Sequence, residues 1–252
     1  MATTDVKRST ARFLYKYRSC ADLRRLESIL LRHELYFSAP EHFDDDKEAK
    51  PRIIASSVFD YTVFLFNVWM RNHPGLEPED YAREFFIIRY GMTLVPPVEG
   101  LETISDGLHL SFNDYRILSL STAPDNEDCW RRYGDEHRGI CLEFENRGPL
   151  FGRAFDVVYG DQVKIDVTDP EQVNITFLYR KTLAWREQRE ARVVQFPRGG
   201  PHVDTFEPRL LRRVILGRDI SAETRAAVLE IVSRREIPVE VAESCTSLPA
   251  LA

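Results

Sequence analysis

FLYKYRSCADLRRLESILLRHELYFS, residues 13–38, reads as strand, helix and strand in one short span. Phe13 to Arg18 is short and rich in aromatic residues, the composition a pleated, half-buried surface favours. Ser19 stands three residues before Asp22 as in a capping box, which predicts a helix at once. Leu23, Leu26, Ile29 and Leu30 then recur at helical spacing. Leu35 to Ser38 returns to strand composition before Pro40 stops it.

Beyond that opening, two apolar helices are predicted from Ile53 to about Tyr90, separated by His73-Pro74-Gly75 and ended by a left-handed cap at Gly91. They read as a helical insertion around residues 53–91. Tyr115 to Ser121 alternates as a strand does, Asn126 to His137 reads as a short helix, and Gly139 to Phe144 as another strand. Phe155 to Tyr159 is a strand candidate and Pro170 to Leu183 a helix. Glu190 to Phe196 is a strand entered directly from Trp185-Arg186-Glu187-Gln188-Arg189. The chain closes with a strand at Arg213 to Leu216, a helix from Ala222 to Arg234 capped by Ser221, and a strand in which Ile237, Val239 and Val241 alternate. This irregular order of strands and helices predicts an α+β fold over a single domain, residues 1–252, and not a doubly wound sheet.

The totals narrow the function classes. A chain of 252 residues that is 43% hydrophobic can bury one sizeable core. Its net charge of -6 argues against holding nucleic acid mainly by neutralising phosphates. Arg24, Arg25 and Arg32 share one helix with Glu27 and Glu34, which reads as a solvated face. Cys20, Cys129, Cys141 and Cys245 form no CxxC pair, so neither a zinc ribbon nor a dense disulfide framework is expected, and reduced thiols in cytoplasm fit best. The polar start, Met1 to Arg12, and the interruption of Val58 to Met70 by Asp60, Thr62 and Asn67 predict neither a signal peptide nor a membrane span. Walker A, GxGxxG, HExxH and GxSxG patterns are absent.

Several landmarks nonetheless recur as a set. Lys16-Tyr17-Arg18, Phe37-Ser38-Ala39-Pro40, Ser119 to Gly139 with Trp130, Tyr133, His137 and Gly139 in register, and Lys181 followed by Trp185, Gln188, Glu190 and Arg192 stand in order along the chain. In these the sequence resembles an uncharacterised bacterial and phage group, domain-of-unknown-function family 2971. It departs from that group at Asp44-Asp45-Asp46-Lys47-Glu48, where Asn-Asp-Pro-Phe-Glu is usual, and at Gln188, where a glutamate is usual.

Gln188-Arg189-Glu190 also resembles the Gln-x-Glu turn of ADP-ribosyltransferases of the Arg-Ser-Glu type. That resemblance implies a split mixed β-sheet core with flanking helices, NAD as co-substrate, no metal, and an unknown protein or nucleic-acid acceptor. The chain would then be a toxin or phage-defence effector that transfers ADP-ribose or hydrolyses NAD. Glu190 would oppose the cation that develops on the sugar, and Gln188 would address the acceptor. Arg18 would hold a phosphate, Ser119 and Ser121 would belong to the binding strand, and Tyr17, Trp130 or Tyr133 would stack on nicotinamide.

The same residues support plainer readings. Glu190 and Arg192 suit an exposed surface pair, Arg18 a partner for Asp22, and Ser121 with Thr122 a turn. Trp130 and Tyr133, one helical turn apart, suit core packing, and His137 a loop histidine bonded to backbone. The acidic run Asp44 to Glu48 suits a solvated turn, or the metal site of a nuclease. A non-catalytic module that binds a nucleotide or a protein through the same residues is the principal alternative.

Overall fold

A single residue pair, Tyr15 opposite Ser121, joins the two parts of the main β-sheet. The structure, a computed structural model, describes residues 6–43, 45, 48–54, 58–93, 115–166, 175–195 and 202–244. The first half of the chain contains β1 (Phe13–Arg18), α1 (Leu23–Leu31), β2 (Glu34–Tyr36), β3 (Arg52–Ile54), α2 (Val58–Asn72), α3 (Pro78–Thr93), β4 (Arg116–Ser121) and α4 (Glu127–Arg132). Then come β5 (Ile140–Glu145), α5 (Gly148–Phe151), β6 (Phe155–Asp156), β7 (Val158–Gly160), β8 (Lys164–Asp166) and β9 (Arg180–Thr182). The last elements are β10 (Glu190–Gln195), β11 (Val203–Thr205), β12 (Leu211–Leu216), α6 (Ala222–Ser233) and β13 (Glu240–Glu243).

The fold is α+β, with helices flanking a large mixed sheet of order β13-β12-β5-β1-β4-β10-β6. Within this sheet, among the described residues, only the β12–β13 pairing is parallel. Alternation along β1 sends Leu14 to one face, where α1 contributes Leu26, Ile29 and Leu30 and α6 contributes Val228 and Ile231. Tyr15 and Tyr17 go to the other face and pack with Cys129 and Trp130 of α4. Each fully buried aliphatic side chain of this kind stabilises the fold by about 1.5–3 kcal/mol.

β1 pairs with β5 along its whole length, and β4 pairs with β10 along its whole length. Between β1 and β4, however, Tyr15↔Ser121 is the single pairing. The strands splay past it, and the sheet opens there into a cleft.

Several boundaries differ from the sequence expectations, each for a local reason. Asp22, not Ser19, caps α1: its side chain accepts from the Arg24 amide, while the Ser19 hydroxyl accepts from Ala21. The insertion begins with a strand, since Arg52–Ile54 pairs in parallel with β8, and its two helices follow. α3 runs through Gly91 to Thr93, so Gly91 lies inside the helix and is not its left-handed cap. α4 stops at Arg132 because Asp135, Glu136 and His137 all take positive φ, 52°, 51° and 64°. Such a left-handed turn costs L residues roughly 1–2 kcal/mol each.

Of the helix expected over Pro170 to Leu183, residues 170–174 lie outside the described residues. The remainder is a 3-10 turn and then β9. Phe177, Leu178 and Tyr179 are buried consecutively, which no one-sided helix allows. Val157 interrupts the strand expected over Phe155 to Tyr159, and the closing strand lies at Glu240–Glu243. Among the described residues, no helix is long and apolar enough to cross a membrane.

Gly139 enters β5 against the Arg18 carbonyl, so closely that a Cβ there would collide with it. Replacement by alanine must push β5 away from the end of β1. Gly139→Ala is expected to lower stability by about 1–3 kcal/mol, read as a lower urea midpoint at unchanged slope. A midpoint equal to that of the wild type would contradict this close packing.

Candidate active site

The cleft at the sheet opening has a volume of about 490 Å³, within the range of small-molecule sites. Arg18 lines it from the end of β1, Ser119 and Ser121 from the end of β4, and Gln188 and Glu190 from the start of β10. Tyr133 lines it from the end of α4, and Lys16, Arg25, His42, Phe43 and Glu48 complete much of the wall.

Glu190 is 6% exposed and Arg192 is 0% exposed, so they are not the surface pair that a two-residue spacing allows. Arg192 Nε donates to Glu190 Oε1 at 2.7 Å, and Lys181 Nζ donates to Glu190 Oε2 at 3.2 Å. Glu48 bonds both cations, Lys181 at 3.1 Å and also the Arg192 guanidinium. Two buried carboxylates and two buried cations therefore balance one another. The Arg192 guanidinium also donates to the Leu178 carbonyl at 2.6 Å.

Burial alone would raise the Glu190 pKa, but Arg192 and Lys181 outweigh it and hold the carboxyl well below the usual range. For Glu48, burial wins: its pKa is raised against the pull of Arg192, with the Glu190 charge adding to the rise. Glu190 is thus the firmly ionised member. Cys129, also in the cleft wall, has its thiol pushed up to about 12 by burial and by Glu190 and Asp128, so it stays protonated.

The turn that presents Glu190 is held from β4 and α4. Arg189 takes a left-handed conformation, φ 45° and ψ 54°. Its carbonyl accepts from the Thr122 amide at 2.8 Å. Ser121 Oγ donates to the Gln188 carbonyl at 2.9 Å, and Asn126 Nδ2 donates to the Glu187 carbonyl at 2.6 Å. Tyr159 Oη accepts from the Glu190 amide at 2.7 Å. Ser121 therefore braces the backbone before Glu190, and Ser119, beside it in the cleft wall, helps to lower the Glu190 pKa.

The remaining sequence candidates divide. Gln188 is buried, with Oε1 accepting from Lys181 at 3.0 Å and Nε2 donating to Asp128 at 3.0 Å and to Tyr133 at 3.3 Å. Tyr17 is buried against Trp130, and its hydroxyl donates to the Ala123 carbonyl at 2.6 Å. Trp130 is 2% exposed, donates to the Pro124 carbonyl and stacks on His137. Trp130 is not part of the cleft wall, and Tyr17 lines it while remaining almost wholly buried. Tyr133, 38% exposed, lines the cleft. His137 bonds the Glu127 carboxylate at 3.0 Å, not backbone, and Asp22 pairs with Arg25, not with Arg18.

Glu48 is buried instead of lying in a solvated turn, and Asp45 accepts from Thr182 at 2.7 Å. Asp44, Asp46 and Lys47 lie outside the described residues. Among those described, no group of three or more His, Cys, Asp or Glu side chains is placed to hold a metal ion.

Family models, curated proteins and solved structures contain no match to the chain.

Removing Arg192 leaves Glu190 and Glu48 with Lys181 alone. Arg192→Met is expected to cost about 3–5 kcal/mol at pH 7. Since the Glu190 pKa is depressed, its contribution is complete above the ordinary value of 4.5 and fades below it. In the variant the stranded carboxylates are relieved by protonation instead. Urea unfolding at pH 7 and pH 4 should show a smaller loss at pH 4, and an equal loss at both would contradict the buried network.

Proposed function

We propose that the cleft is a site for NAD, and that the chain breaks the bond between nicotinamide and ribose, passing ADP-ribose to an acceptor or to water. The observation that carries this reading is convergence. Arg18, Ser119 and Glu190 come from three strands far apart in sequence and line one cleft, as the resemblance to Arg-Ser-Glu transferases implies they should.

Breaking that bond builds positive charge on the sugar, as glycoside hydrolysis does through an oxocarbenium-like state. Glu190 supplies a fixed negative charge in a poorly hydrated wall, where such an interaction exceeds its strength in water. A ribose hydroxyl would donate to it. Arg18 Nε is buried and has no hydrogen-bond partner among the described residues, so the guanidinium is available to a phosphate. Tyr133, in the cleft wall, would stack on nicotinamide. Gln188, whose amide is already bonded at both ends, would act here as a brace for Lys181 and the turn.

A second reading has one observation in its favour: both Glu190 oxygens are already bonded to cations. A carboxylate so engaged suits a module that binds the nucleotide without turnover.

Incubating the full chain with NAD and measuring free nicotinamide separates the two. The enzyme reading expects release that falls about 10²–10³-fold in Glu190→Gln, the scale of losing one preorganised electrostatic contact to the transition state. NAD bound without nicotinamide release would support the binding module. Equal rates in wild type and variant would overturn the role of Glu190.

A further inference from the structure

Lys16 and Arg18 are alternate residues of β1 and leave the strand on the same side. Both line the cleft, and Arg25 of α1 lines it beside them. Lys16 Nζ reaches across the opening between β1 and β4 and donates to the Ser119 carbonyl at 2.6 Å. Among the described residues, no carboxylate stands in ion-pair range of Lys16 or Arg18, whereas Arg25 pairs with Asp22 at 3.3 Å on the exposed rim.

The surroundings of Lys16 set its protonation. Arg18 lies on its own strand, Arg25 and Asp22 on α1, Cys129, Arg132 and Tyr133 on and just after α4, and Glu190 on β10. Lys181 on β9 and Glu48 are bonded to each other, and His42 closes the wall. Burial first, and then the Arg18 charge, bring the Lys16 amine down to about 7, while Glu190 and Cys129 act in the other direction. Two neighbouring cations, neither of them in an ion pair among the described residues, thus meet in one poorly hydrated wall, and the amine is the one able to relieve the repulsion by losing its proton.

We propose that Lys16 and Arg18 form a subsite for a diphosphate group, and that Lys16 gains a proton from solvent as the anion arrives. This deepens the nucleotide reading of the cleft but requires no turnover. An anion beside the amine favours its charged form, so affinity is greatest where Lys16 is readily protonated and weakens as pH rises above 7.

ADP-ribose is the probe, because its diphosphate carries a ribose on both sides and does not itself titrate near neutrality. Calorimetry of the full chain at pH 7.5, in two buffers of different ionisation heat, counts protons taken up. Wild type is expected to take up a fraction of a proton per ligand. Lys16→Arg is expected to bind with similar affinity and no uptake, and Lys16→Met about tenfold more weakly, also without uptake. Thermal unfolding of both variants checks that they fold. Absence of ADP-ribose binding, absence of uptake in the wild type, or unchanged uptake in Lys16→Arg would each overturn the proposal. Nicotinamide release without proton uptake would overturn this inference alone, and proton-linked binding without nicotinamide release would overturn only the enzyme reading.

Discussion

The pairing of Tyr15 with Ser121 is the hinge point of the molecule's design. Had β1 and β4 paired along their lengths, as β1 does with β5, the sheet would be closed there. Because they meet once and diverge, the backbone of β4 beside Ser119 is left to a lysine side chain in place of a strand. The resulting cleft receives strand ends from both parts of the sheet, and that brings distant residues within reach of one ligand. Gly139 serves the same end by letting β5 start hard against the Arg18 carbonyl.

Facing that opening is a buried set of four charges, Glu48, Lys181, Glu190 and Arg192. Such sets are weak sources of stability, since hydrophobic residues of similar volume often serve as well or better. Their use lies elsewhere. Arg192 and Lys181 hold Glu190 ionised despite its burial, and the Arg189 turn, braced by Ser121, Thr122 and Asn126, fixes where it points. A fixed charge in a dry wall is what a reaction that develops opposite charge requires, because little reorganisation is needed when that charge appears. The same dry wall depresses the amine of Lys16, so one side of the cleft carries a firm anion and the other an amine whose charge is held less firmly.

Much of this was legible in the chain. The alternation of FLYKYR and the spacing of Leu23, Leu26, Ile29 and Leu30 identified β1 and α1, and Ser221 identified the start of α6. The short pairings β2–β11, β3–β8 and β7–β9 were not legible, because strands of three residues carry too little alternation to show a period. Motif order singled out Glu190, Ser119 and Arg18, and all three line the cleft, while Tyr17 and Trp130, which the same motifs supply, pack into a core cluster. The burial of Glu48 could not be read from a run of acidic residues, since it depends on Arg192, 144 positions away. Lys16 did leave a signal: two residues before Arg18 in a strand, it had to share its side. Arg25 and Tyr159 left none, because only the packing of α1 over β1 and of β7 beside β10 brings them in.

The account is tested most directly by determining the crystal structure of the chain with ADP-ribose bound. It predicts the diphosphate between Lys16 and Arg18, with a ribose hydroxyl within hydrogen-bond distance of Glu190. Ligand seated elsewhere, with Glu190 still closed behind Arg192 and Lys181 and the cleft holding only solvent, would contradict it.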